Sequence, residues 1–398
     1  MKTMKKLWSK DTKVVLNQMV EAYTIGNDYI LDMELIPFDV QGSMAHAKML
    51  KKIGILNEDE LQALLKGLGE ILSHWKEGSF VLSKEDEDCH SAIEFYLTEK
   101  FGDVGKKIHT GRSRNDQILV TLRLYSKSKL DEIIEAIYQV IETLNKQCKK
   151  YALIKMPGYT HMQRAMPSTV GMWLGSYAES LEDDMELIKA VYKIIDQNPL
   201  GSAAGFGENV LGLERELTTK ELGFAKVQKN PMYCALSRGK FENIILQALS
   251  QVVFDLGKLA SDLLIFTTKE FGFFDLPEEF KTGSSIMPQK KNFDVLELTR
   301  ANVPVFYAQQ YQVQEIIKNL PSGYNRDFQF TTEPYMKGLK VAQDMLMISD
   351  LILKNLIVHK EKLASACSKE LYATEEVYKR VKKGESFRDA YREVGNKL

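Results

Sequence analysis

Apolar residues along this chain recur at spacings of three and four, over segments far too long for strands. Between Gln117 and about Lys150, residues Ile118, Leu122, Tyr125, Leu130, Ile133, Ile134, Ile137, Ile141 and Leu144 form one stripe, the repeat of a helix with one buried face. At 3.6 residues per turn this run makes roughly nine turns. Similar runs are predicted from about Ser168 to Asp196, Lys240 to Phe271, Asn292 to Lys318 and Pro334 to Leu356. Alternation of period two is nearly absent. The expected fold class is all-α, with five long helices as a central bundle.

The Gly- and Pro-bearing segments between these runs divide the chain into an N-terminal helical part, 1–110, a long-helix bundle, 111–358, and a short C-terminal helical part, 359–398. The run Ile244, Ile245, Leu246, Leu249, Val252, Val253, Leu256, Leu259, Leu263 and Leu264 is apolar on more than one face. That is more apolar surface than one subunit readily covers, so self-association is expected. Lys84-Glu85-Asp86-Glu87-Asp88 reads as a solvated turn before a helix.

Composition narrows the class. Of 398 residues 44% are hydrophobic, and 53 basic residues balance 54 acidic ones, which leaves no electrostatic footprint for nucleic acid. Cys89, Cys148, Cys234 and Cys367 are scattered without a metal or disulfide spacing and are expected to be reduced. The N-terminus, Met1 to Trp8, is basic but lacks a following apolar stretch, and no segment approaches the roughly 18 apolar residues of a membrane span. A cytoplasmic enzyme without a metal is the expectation.

Three segments carry chemistry. In Gly283-Ser284-Ser285-Ile286-Met287-Pro288-Gln289-Lys290-Lys291-Asn292 a flexible glycine, two hydroxyls and two cations are packed into one loop. Amides near Ser284 and Ser285 could form a nest for a carboxylate beside Lys290. His109 precedes Thr110-Gly111-Arg112-Ser113-Arg114-Asn115-Asp116-Gln117, which sits at the start of a predicted helix and places two guanidinium groups where an anion is favoured. Pro157-Gly158-Tyr159-Thr160-His161-Met162-Gln163 offers an imidazole, a group that titrates near neutral pH and suits general acid work.

Together these strings resemble the argininosuccinate lyase family of the fumarase/aspartase superfamily. So do Asp39-Val40-Gln41-Gly42-Ser43 and Asn198-Pro199-Leu200-Gly201-Ser202-Ala203-Ala204-Gly205, so the likeness covers nearly the whole chain and weakens toward its end. It implies a homotetramer joined through the bundle, with sites shared between subunits, and a cofactor-free reversible elimination of argininosuccinate to arginine and fumarate in arginine biosynthesis. It implies Ser284 as base, His161 as proton donor to the leaving guanidine and Lys290 as the cation that steadies the carbanion. Substrate contacts would come from Lys52, Arg112, Arg114, Asn115, Thr160, Gln163, Arg238, Asn292, Tyr324 and Gln329, with His90 and Ser285 in support. The short C-terminal part looks abbreviated.

Two positions depart from the family pattern. Thr332 stands where a lysine usually meets a substrate carboxylate, and Gly26 where a serine contacts substrate. These departures keep two alternatives open: a related carbon–nitrogen lyase acting on another succinyl-amine, and a weakly active, crystallin-like structural relative.

Overall fold

The computed structural model describes residues 17–398; the basic stretch Met1 to Trp8 lies outside the described residues. In chain order the helices are α1 (Gln18–Ile25), α2 (Asp28–Leu31), α3 (Ile36–Lys52), α4 (Glu58–Lys76), α5 (Cys89–Phe101), α6 (Asp103–Lys106), α7 (Arg114–Lys150), α8 (Val170–Ile195), α9 (Arg215–Glu221), α10 (Pro231–Leu236), α11 (Lys240–Phe266), α12 (Asp294–Ile317), α13 (Thr332–Lys354), α14 (Lys360–Ala366), α15 (Ala373–Val381) and α16 (Phe387–Gly395). Short strands pair between them: β1 (Lys155–Thr160) with β2 (Gln163–Thr169), β3 (Gln197–Asn198) with β4 (Lys226–Val227), β5 (Phe274–Asp275) with β8 (Ile357–Val358), and β6 (Thr282–Gly283) with β7 (Lys291–Asn292). The fold is all-α, and α7, α8, α11, α12 and α13 occupy the five runs that the apolar repeat predicts.

Helix ends follow local chemistry. Asn57 and Glu60 form a reciprocal capping box that starts α4, satisfying amides with no partner inside the helix. The Asp88 carboxylate accepts the Ser91 N–H at 2.8 Å and starts α5. α11 ends at Phe266 rather than continuing to Phe271. Thr268 Oγ1 bonds back to the Ile265 carbonyl, and Gly272 turns the chain with φ +53°. Phe271 mimics the helical stripe, but its ring packs edge-on against Tyr159 with centroids 5.7 Å apart.

Contacts divide the chain into two compact units. The first comprises residues up to Asp131, Lys189–Gln247 and Gln309–Gly338; the second comprises Glu132–Ile188, Ala248–Ala308 and Leu339–Leu398. In the first, Tyr335 is fully buried and its hydroxyl donates to Ser126 Oγ at 2.7 Å, while the Arg123 guanidinium lies 4.2 Å from the Phe241 ring centroid. Burial of an apolar side chain such as the Phe241 ring contributes about 1.5–3 kcal/mol. In the second, Asp262 accepts from Trp173 Nε1 at 2.9 Å and the Tyr177 hydroxyl at 2.7 Å, which joins α8 to α11.

The β1–β2 hairpin departs from the helical expectation. Pro157, Gly158 and Pro167 make these segments read as loop, and the ladder accommodates them with a register shift between Pro157 and Tyr159. A proline lacks the ladder donor, so it is confined to edges and bulges.

Candidate active site

One face of α3 carries Asp39, Ser43 and His46, spaced by four and three residues and all buried. That spacing places them on a single stripe, and each holds part of the neighbouring polar segments. The Asp39 Oδ1 accepts from His90 Nδ1 at 2.9 Å, Ser43 Oγ accepts from Arg112 Nη1 at 3.0 Å, and His46 Nε2 lies 2.9 Å from the Thr110 carbonyl. Burial, followed by the Arg112 charge, drives the His46 pKa well below its ordinary value. His46 is therefore a neutral donor to Thr110. This stripe fixes the backbone around the arginine pair.

A cavity of about 540 Å³ opens in front of it, lined wholly by the first unit. Four guanidinium groups, from Arg112, Arg114, Arg238 and Arg326, face five carboxyls, from Asp28, Asp32, Glu87, Asp88 and Glu94. Arg114 is fixed by Asp88 through Nη1 and by the Ser91 hydroxyl through Nη2. Asn115, Tyr324, Gln329, His90, His109 and Thr332 complete the polar wall.

The electrostatics sort these groups. Burial, then the neighbouring Asp32 and Asp88, pushes Asp28 up to about 7, although Arg238 and Arg326 draw it down. Burial raises Asp32 to about 6 against the pull of His90 and the Cys89 N–H. His109 falls to about 4 because it is buried beside Arg112 and Arg114, so it is neutral in the working range. Burial alone would lower His90, but Asp39 outweighs it and holds His90 above its usual value. His90 Nε2 is buried with no partner among the described residues.

Sequence reasoning finds Arg112, Arg114, Asn115, Arg238, Tyr324, Gln329 and His90, and the fold gathers all of them on this wall. Lys52 ends α3, exposed, outside the lining residues. Gly26 is also outside the lining; its φ of +58° makes the turn that presents Asp28. From that segment Ile25 and Asp28 line the cavity, Asp28 being the charged one, and Thr332 faces it too. The acidic members Asp28 and Asp32, and the cation Arg326, take on a role only when the fold brings them to the cavity. The helical spacing of Asp39, Ser43 and His46 is the signal that could have located the supporting stripe.

The remaining candidates lie in the second unit. His161 and Met162 are the two residues between β1 and β2, with φ of +53° and +60°. This is the primed-turn geometry that normally selects Asn-Gly. Holding non-glycine residues there stores strain of a kind that clusters at functional positions, and it leaves Thr160, His161 and Gln163 exposed at the tip.

The other loop is a hairpin closed by Thr282↔Asn292 and Gly283↔Lys291 pairing. Ser284 Oγ accepts the Met287 N–H at 3.1 Å and the Ile286 N–H at 3.4 Å, so these two amides are engaged by the hydroxyl itself. Gly283 lies in β6 with nothing within 4 Å of a would-be Cβ and no left-handed φ; the conformational freedom expected of it is not used. Lys281–Asp275 and Lys291–Glu278 ion pairs, both 2.9 Å, brace the loop's base. Ser285 and Lys290 are exposed, while Asn292 Nδ2 reaches Thr282 Oγ1 at 3.5 Å.

No metal spacing is legible in the sequence, yet the fold brings ligand atoms of Asp39, Cys89 and His90 within 4.8 Å of one another. Burial, then Asp32 and Asp39, raises the Cys89 thiol far above its usual value. In this arrangement Asp39 and His90 are already engaged with each other at 2.9 Å, with the thiol buried beside them.

A family described as Lyase matches residues 12–304. An argininosuccinate lyase of Thermotoga neapolitana is 43% identical over 392 residues, 98% of both chains. One from Bacteroides fragilis is 44% identical over 390 residues, 98% of this chain and 87% of that protein. Among solved structures, an EDDS lyase variant with bound fumarate superposes with TM-score 0.80 at 24% identity, covering 94% of this chain and 74% of that one. A class II fumarase from Schistosoma mansoni gives 0.79 at 15% identity, covering 94% and 91%. Both show a shared fold.

Proposed function

The chain belongs to the argininosuccinate lyase family, and from that premise we propose which residues carry its reaction. The protein is a carbon–nitrogen lyase that reversibly eliminates L-arginine from L-argininosuccinate to leave fumarate. The Ser284 alkoxide removes the proton from the carbon beside a carboxylate, and the electron pair delocalises into that carboxylate. Lys290, Asn292 and the loop amides stabilise the added charge. Collapse of this carbanion forms the double bond of fumarate and breaks the bond to nitrogen, which takes its proton from His161.

A serine hydroxyl is a weak acid, so its ionised form needs donors aimed at Oγ. The amides of Ile286 and Met287 are such donors. Arg112, Arg114, Asn115, Arg238, Tyr324 and Gln329 bind substrate, with Lys52, Thr160 and Gln163 as further contacts and His90 and Ser285 in support. The observation that carries the reading is the cavity in which four guanidinium groups face five carboxyls, a match for a substrate that carries three carboxylates together with an ammonium and a guanidinium.

Shared sites in a homotetramer account for two features. The cavity lining belongs to one unit, and Ser284, His161 and Lys290 belong to the other, on exposed loops. The second unit also leaves Met172, Leu298 and Met347 between 64% and 71% exposed on three long helices, which suits a helix-to-helix interface. Among the described residues no helix is long and apolar enough to cross a membrane; with four free cysteines, we place the protein in the cytoplasm.

The test is fumarate release, followed by its ultraviolet absorbance, with argininosuccinate as substrate and adenylosuccinate and aspartate as controls. Selective release supports the reading. Comparable turnover of adenylosuccinate would favour the second reading, another succinyl-amine substrate, which the uncharged Thr332 on the cavity wall motivates.

A further inference from the structure

Most charges in the cavity already have partners. Arg114 is held by Asp88 and Ser91, Arg112 by Ser43, and Asp32 accepts the Cys89 N–H at 2.9 Å. Three groups remain unspent. The Asp28 carboxylate accepts no hydrogen bond and forms no ion pair among the described residues, although it lines the cavity. Arg238, 93% buried by its 7% exposure, has an unpartnered Nε, and its Cζ lies 5.4 Å from the Tyr324 ring centroid. Arg326 donates through Nε to Gln329 Oε1 at 3.1 Å and through Nη2 to the Thr24 carbonyl at 2.8 Å, which leaves Nη1 for a ligand.

Two of these, Asp28 and Arg326, are held in place together. Gln329 Nε2 also donates to the carbonyls of Thr24 and Ile25, at 3.1 and 3.0 Å. The left-handed Gly26 then turns the chain into α2, whose first residue is Asp28. Arg326, Gln329 and Asp28 therefore form one rigid edge of the cavity.

An unpaired anion beside two cations complements a ligand that carries both charges on neighbouring atoms. A guanidinium alone would be repelled by Arg238 and Arg326, whereas an α-amino acid head brings a carboxylate for them and an ammonium for Asp28. We propose that Asp28, Arg238 and Arg326 form a zwitterion clamp for the α-ammonium and α-carboxylate of the arginine moiety, which makes Asp28 a determinant of specificity for a free α-amine. The clamp also supplies cations on a wall where Thr332 supplies none. This inference rests on the argininosuccinate reading and adds the discrimination between free and Nα-blocked substrates.

The experiment compares argininosuccinate with its Nα-acetyl derivative in the wild type, D28N and D28E, and measures arginine binding to each by calorimetry. A hydrogen-bonded ion pair of this kind corresponds to about 10- to 100-fold in affinity. D28N should raise KM for argininosuccinate by that factor with kcat little changed, leave the Nα-acetyl substrate unaffected and weaken arginine binding in parallel; D28E should keep the preference. An equal loss on both substrates would instead assign Asp28 to the guanidinium, and an unchanged KM in D28N would also overturn the clamp. If the wild type released no fumarate from argininosuccinate, the functional reading would fail. The calorimetric comparison would still decide whether Asp28 recognises an α-amino acid.

Discussion

Asp116 Oδ2 accepts the backbone N–H of Gly201 at 2.9 Å, tying the first turn of α7 to a turn 85 residues further along the chain. The same oxygen takes the Ala203 N–H at 3.0 Å, and Oδ1 takes the Ser113 N–H at 2.9 Å. One fully buried carboxylate thus fixes the segment carrying Arg112, Arg114 and Asn115 against the turn in which Ala203 has φ +50°.

Removing that acceptor should therefore damage binding as well as stability. D116A leaves three backbone donors without a carboxylate, at a cost of about 2–4 kcal/mol. KM should rise more than kcat falls, because the arginines lose their register while Ser284 and His161 are untouched. Urea denaturation and steady-state kinetics check both parts; a destabilised variant with wild-type KM would mean that Asp116 is structural only.

The buried pair Asp39–His90 sets a second expectation. Burial would raise Asp39, but His90 and then Arg112 and Thr121 hold it below its usual value, and His90 is raised in turn. The raised His90 contributes stability that is lost as pH climbs through its folded pKa. The lowered Asp39 contributes stability that is lost as pH falls through its own. D39N should therefore cost most at mildly acidic pH, about 3–5 kcal/mol for a broken buried pair, and less near pH 9. Unfolding curves at the two pH values test the sign; an equal cost at both would contradict it.

How much of this was legible beforehand depends on whether the signal is local. The long helices follow from a stripe that any window of the sequence reveals; the stripe misleads at Phe271, which continues it after the backbone has turned. The arginine pair was legible because its residues lie close together in sequence, and the fold places it on the cavity wall. Asp28, Asp32 and Arg326 were not, since an isolated carboxyl or guanidinium gains meaning only when folding removes water around it. The tip of the β1–β2 hairpin was hidden by its prolines and by His161 and Met162, which occupy turn positions where Asn and Gly are expected.

Gly171, at the start of α8, shows how the hairpin is anchored. A Cβ there would lie 2.7 Å from both the Ala152 Cα and the Cys148 carbonyl oxygen, backbone atoms that cannot swing aside. G171A should push α8 from the end of α7, the two helix ends that flank the hairpin, at a cost of about 1–3 kcal/mol. Since His161 rides on that hairpin, kcat should fall. Thermal denaturation with kinetics is the check, and wild-type kcat in a destabilised G171A would detach the hairpin from catalysis.

Ser284→Ala should abolish turnover while the oligomer stays intact, because the side chain is small and lies on a loop between β6 and β7. Arg114→Ala should also be inactive, for want of a substrate anchor. If sites are shared between subunits, hybrids of the two variants contain some sites in which both residues are native. Mixing, denaturing and refolding them together should restore turnover that neither has alone. Size-exclusion chromatography must show the same oligomer in all three samples, and hybrids without activity would argue that Arg114 and Ser284 serve a site from one chain.

Asp28 should leave two opposite marks on the pH profile. Its carboxyl is raised to about 7 by burial and by Asp32 and Asp88, against Arg238 and Arg326, so at pH 6 roughly one molecule in ten presents the anion and at pH 8 roughly nine in ten. KM for argininosuccinate should therefore fall about tenfold over that interval, and D28N should flatten the fall. Stability runs the other way. A carboxyl whose folded pKa is raised loses stability as pH rises from its unfolded value, 3.8, toward 7. D28N should accordingly be more stable than the wild type at pH 8 and indistinguishable from it at pH 4. Thermal denaturation at both pH values, set beside the KM profile, separates the two effects: a D28N protein that binds worse and melts higher at pH 8 has exchanged a binding charge for stability. A variant that melts lower at pH 8 would show that Asp28 is held by a partner in the free protein, and would remove the basis for its availability to substrate.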